Sequence, residues 1–69
     1  MDAIRRRYFA RTHDGEDYYE AATLLAEDLA KDDPATFKAG YTVANAARAA
    51  HDVFPEVTVE EIEDHFALL

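Results

Sequence analysis

The chain has 69 residues, no cysteine, and fifteen Asp and Glu against seven Lys and Arg, for a net charge of −8. That length allows one domain, residues 1–69, and the absence of cysteine excludes a disulfide framework and a thiolate metal site. The acidity repels nucleic acid and anionic lipid and attracts basic surfaces. No apolar run approaches the ~20 residues of a membrane-spanning helix, and the basic N-terminus lacks the apolar core of a signal peptide, so the cytoplasm is the expected compartment.

Charge is unevenly placed along the chain. Arg5, Arg6, Arg7 and Arg11 face only Asp2 in the first thirteen residues, whereas residues 14–33 hold eight acids against Lys31. Residues 34–51 carry Lys38 and Arg48 and no acid, and residues 52–69 carry six acids with no Lys or Arg. Two acidic segments are thus separated by a mildly basic one.

Four helices are predicted. The first spans about Asp2 to Thr12, with Ile4, Tyr8 and Arg11 on one narrow face and Phe9 to the side. The second opens at Asp14-Gly15, a capping pair, with Glu16 and Asp17 in the first turn where the helix dipole favours acids. Tyr18, Ala22, Leu25 and Leu29 recur at helical spacing and form its inner stripe. Glu16, Glu20, Glu27 and Lys31 lie opposite, with Leu24 at least partly exposed among them, and the helix ends near Lys31-Asp32.

The third helix starts at Asp33-Pro34, since proline suits the first helical position, and runs to about Asp52. It carries two adjacent stripes, Phe37/Tyr41/Ala44/Arg48/His51 and Ala39/Val43/Ala46/Ala47/Ala50. A helix apolar over most of its girth is expected at the centre of the fold. Pro55 stops it, and Thr58-Val59-Glu60-Glu61 reads as a capping box for the fourth helix. Val59, Ile62, Phe66 and Leu69 form the inner stripe of that helix, and Glu60, Glu61 and Asp64 face out. The expected fold is all-α: a small four-helix domain of two packed helical hairpins, a HEAT-like pair stack or an orthogonal bundle.

Candidate chemistry is sparse. Glu61 and His65 have metal-pair spacing, but a metal site needs three or four converging ligands, and no such set is spaced for it. The carboxylate pairs Asp28/Asp32 and Glu60/Asp64 read as solvated faces. There is no Gly-rich phosphate loop, no serine and no nucleophile setting. The expectation is a non-enzyme with no cofactor and no metal. The Arg5-Arg6-Arg7 run is too short, on too acidic a body, to bind nucleic acid directly; pairing with acids of a neighbouring helix, or lining an interface, is expected instead.

Two resemblances bear on function. Val53-Phe54-Pro55 before an acidic helix resembles the Met-Phe-Pro of CUE-type ubiquitin-binding domains, and Leu68-Leu69 resembles their di-leucine, although that family places the di-leucine on a further helix. The two acid-lined helices carry the other resemblance. One row is Glu16, Asp17, Glu20, Glu27, Asp28, Asp32 and Asp33; the other is Glu56, Glu60, Glu61, Glu63 and Asp64. Duplex DNA presents about one negative charge per 1.7 Å of axis, and carboxylates on a rigid helical body can imitate part of that array. In size, helicity and acidity the whole chain is similar to the phage-encoded anti-CRISPR proteins that act as DNA mimics.

That resemblance implies stoichiometric inhibition, with both acidic rows on the DNA-binding surface of a CRISPR effector subunit and no catalysis. The partner would be a basic protein surface, with no nucleic acid or membrane bound directly, and the protein a monomer or weak homodimer. The basic N-terminus is a departure, since a pure mimic does not need one. Alternatives with the same charge logic are an antitoxin or immunity-type partner of a basic toxin, and a halophilic acidic domain, whose folding would require molar salt.

Overall fold

Four helices are resolved in a computed structural model that describes residues 2–32 and 41–68: α1 (Ala3–Phe9), α2 (Tyr18–Lys31), α3 (Tyr41–Val53) and α4 (Val59–Ala67). The protein is an all-α four-helix domain, as its periodicity predicts. The expected start of α3 at Asp33-Pro34, together with Phe37, Lys38, Ala39 and Gly40, lies outside the described residues, as does Leu69.

Capping fixes the helix boundaries, and two differ from the sequence reading. The α1 helix is capped by Asp2, whose Oδ1 accepts from the Ile4 amide at 2.8 Å, but ends at Phe9 rather than Thr12. Its last turn tightens: the Arg11 and Thr12 amides donate to the carbonyls of Tyr8 and Phe9, three residues back, and the Thr12 hydroxyl also donates to Phe9. The α2 helix starts at Tyr18, not Asp14-Gly15. Gly15 has φ +77°, a left-handed conformation that no right-handed helix accommodates. Asp17 is therefore the N-cap, accepting from the Glu20 amide at 2.9 Å, and Glu16 and Asp17 precede the first turn. The Thr58 capping box forms as the sequence indicates: the Glu61 amide donates to the Thr58 hydroxyl at 3.1 Å, and the Glu61 carboxylate reaches back to the Thr58 amide.

Among the described residues α2, not α3, is the central helix. It contacts all three others, most extensively α3, and α3 packs in turn on α4. The buried residues of α2 are Ala21, Ala22, Thr23, Leu25, Ala26 and Ala30. At 100° per residue they cover roughly 200° of its circumference, wide enough to serve several neighbours. On α3 the second stripe wins: Ala46, Ala47 and Ala50 are buried, whereas Tyr41 and Arg48 of the first stripe are exposed. The physical reason is close approach. Alanines on α2 and α3 let two backbones come near each other without displacing side chains, which a Tyr/Arg/His face does not.

The bulk of the core comes from elsewhere. Among the described residues Phe54 and Ile62 are the largest fully buried side chains, and Tyr8, Phe9, Leu25 and Val57 join them. Phe9, placed beside the expected α1 face, is core, and Ile4, placed on it, is 45% exposed. Phe54 and Val57 lie in the connection between α3 and α4. The Phe54 amide still donates to Ala50 in helical register at 2.8 Å, and the Val57 amide donates to Phe54. The chain therefore turns the corner with both side chains inward.

Candidate protein-binding face

The two acidic rows fare differently once folded. On and around α2, four acids are engaged within the protein. Asp17 caps the helix, and the Glu20 Oε2 accepts from the His13 amide at 3.0 Å. Glu27 Oε1 lies 2.7 Å from His65 Nε2, across to α4. A carboxylate only accepts, so that nitrogen carries the proton. The half-buried His65 ring stands edge-on to Tyr19 and Phe66. Asp28 Oδ2 accepts from both the Tyr8 hydroxyl and Arg11, each at 2.7 Å. These two bonds, the tyrosine's first, hold the Asp28 carboxyl below its ordinary range. Burial, then the bond to Asp28, pushes the Tyr8 phenol up. Of this row only Glu16 and Asp32 are exposed, and Asp33 lies outside the described residues.

The second row divides at the start of α4. Glu56 accepts from both terminal guanidinium nitrogens of Arg5, at 2.8 and 3.1 Å, and the Arg5 bond holds its carboxyl below the ordinary range. Glu61 serves the capping box. Glu60, Glu63 and Asp64 are exposed, and among the described residues they form no ion pair or side-chain hydrogen bond. Spaced three and four apart, they share one outward face of a helix whose opposite side is fixed by buried Ile62. Like charges at these spacings repel, by about 0.2–0.5 kcal/mol per pair in a helix. The fold thus keeps three mutually repelling carboxylates together on a capped helix and leaves them to solvent.

No family model, curated protein or solved structure matches this chain.

Other candidate groups acquire structural roles. Glu61 and His65, at metal-pair spacing, are each committed elsewhere, and no three metal-type side chains converge among the described residues. The His51 Nδ1 is 2.6 Å from the Val57 carbonyl and ties the end of α3 to the following turn. Phe54 of the CUE-like tripeptide is wholly buried and cannot serve as a docking residue, although Leu68 is 86% exposed. No helix is long and apolar enough to cross a membrane among the described residues. The sequence reading expected the N-terminal arginines to pair with acids but did not single out Asp28 and Glu56 as the partners. The signal available was the net-positive segment holding Arg5 and Arg11, which needs acidic partners in a chain this acidic.

Proposed function

We propose that the protein is a non-enzymatic inhibitor that binds a basic protein surface through the outer face of α4, and so keeps nucleic acid off that surface. The observation that carries this reading is the Glu60/Glu63/Asp64 face: exposed, rigidly presented, without intramolecular partners among the described residues, and self-repelling. Relieving such repulsion against a basic surface drives association, and the long-range field steers it. The wider array first expected, both acidic rows together, narrows to this face plus Glu16 and Asp32, because the other described acids of those two rows are engaged within the fold. A DNA-mimic inhibitor of a CRISPR effector subunit, of the anti-CRISPR kind, fits this chemistry.

The test is competition. A purified CRISPR DNA-surveillance complex is mixed with target DNA and increasing protein, and DNA binding is followed by gel shift at low and at physiological salt. Displacement is expected at low salt, weakening as salt rises, with the E60K/E63K/D64K variant folded but inactive. Undiminished displacement by that variant refutes the α4 face. Failure to displace DNA from any nucleic-acid-binding complex tested refutes the mimic function.

A further inference from the structure

Arg5 is held in an unusually complete environment. Its Cζ lies 5.1 Å from the centroid of the Phe54 ring, 5.6 Å from that of Phe9 and 5.7 Å from that of Tyr18. All three distances fall within the roughly 6 Å over which a ring quadrupole attracts a cation. The rings are themselves mutually braced, with Phe9 edge-on to both Tyr18 and Phe54 at 5.0 and 5.3 Å. The polar partners of the guanidinium are equally specific. Both terminal nitrogens reach the Glu56 carboxylate, and one of them also donates to the Val53 carbonyl at 2.7 Å. The side chain is only 19% exposed.

Each contact selects for shape as well as charge. A flat, delocalised cation can lie against aromatic faces while its edge makes a two-pronged bond to a carboxylate; a compact, strongly hydrated ammonium cannot do both. The carbonyl of Val53 adds an acceptor at the C-terminal end of α3, where the helix dipole favours a cation. Three of the five partners, Val53, Phe54 and Glu56, come from the α3–α4 corner, Tyr18 comes from α2 and only Phe9 shares α1 with Arg5.

We infer that the α3–α4 corner, with Tyr18 and Phe9, is a guanidinium-binding cage that Arg5 fills as a tethered ligand, and that its ligand class is the arginine side chain rather than lysine. The inference stands apart from the α4 face, since none of its residues belongs to that face. It also gives the basic N-terminal segment a role in an acidic protein: α1, only seven residues long, is pinned to the α3–α4 corner by a site shaped for one of its arginines.

The test is replacement of the tether by a free ligand. The R5A variant is titrated with N-ethylguanidinium chloride, with ethylammonium chloride at equal concentration as the salt control. Thermal unfolding and the ring-proton NMR signals of Phe9, Tyr18 and Phe54 are followed. Saturable movement of those signals is expected, with a rise in Tm on the order of 4 °C at about five times the Kd. Ethylammonium should give neither, and the wild-type protein, whose cage is filled, should not gain stability. An equal response to ethylammonium, or no saturable response in a folded R5A, overturns the inference. A second measurement does not depend on any variant folding. In the wild-type protein the Arg5 guanidinium protons should be resolved, displaced upfield by the three rings and slow to exchange. Arg48, exposed and bonded among the described residues only to Asn45, is the reference. Arg5 signals averaged like those of Arg48 would overturn the cage directly.

Discussion

Replacement of Phe54 by alanine separates a reading of the 54–58 segment as a linker from one of it as core. Phe54 is 0% exposed, stands edge-on to Phe9 and lies under the Arg5 guanidinium. Truncating a buried phenylalanine costs about 3–5 kcal/mol, combining lost transfer energy with the residual cavity. At roughly 0.05–0.15 kcal/mol per residue, a chain of this length has a total stability of about 3–10 kcal/mol. The F54A variant should therefore lose between a third and all of its stability, and the loss of one face of the Arg5 cage adds to the effect. The assay is urea denaturation followed by circular dichroism at 222 nm, with the midpoint compared at constant slope. As the control, I4A removes a larger fraction of exposed surface on α1 and should shift stability by less than about 0.5 kcal/mol. A loss below about 1 kcal/mol for F54A, or an equal loss for I4A, would refute the placement of this corner in the core.

Three further outcomes follow from the same contacts. The carboxyls of Asp28 and Glu56 are held below their ordinary values of 3.8 and 4.5, so their stabilisation is full above about pH 5 and is lost as the pH falls through their lowered folded-state pKa values. The Tyr8 phenol is raised above 10.0, so its contribution is full below that pH and is lost as the solution becomes more alkaline. A Tm profile should fall at both ends, and D28N should flatten both limbs; an unchanged profile would refute the Tyr8–Asp28–Arg11 assignment. Reversal at Asp64 should separate stability from function. D64K turns a repelling Glu60/Asp64 pair into a favourable one worth a few tenths of a kcal/mol, so its Tm should hold or rise while displacement of DNA weakens, and a lower Tm contradicts the geometry of that face. T58A should lose about 1 kcal/mol in urea titration through the broken capping box; a neutral effect would mean that α4 is held by Ile62 packing alone.

Local grammar in the sequence specifies much of this protein. The Thr58/Glu61 spacing fixes the start of α4, the Ala22/Leu25 repeat marks the inner side of α2, and Pro55 ends α3, because caps and periodicity act within one or two turns. Gly15 was legible as punctuation, but whether it opened the helix or only turned the chain toward Asp17 depended on its backbone angle. Periodicity tells which residues share a face, not which face meets a neighbour. On α3 that choice went to Ala46, Ala47 and Ala50 once a helix of small residues was available opposite. Charge count was equally legible, and charge availability was not. Arg5 meets Glu56 across 51 positions and Tyr8 meets Asp28 across 20. Only folding brings such partners together. Tertiary structure therefore decided which acids are consumed inside the protein and which, at Glu60, Glu63 and Asp64, are left on its surface.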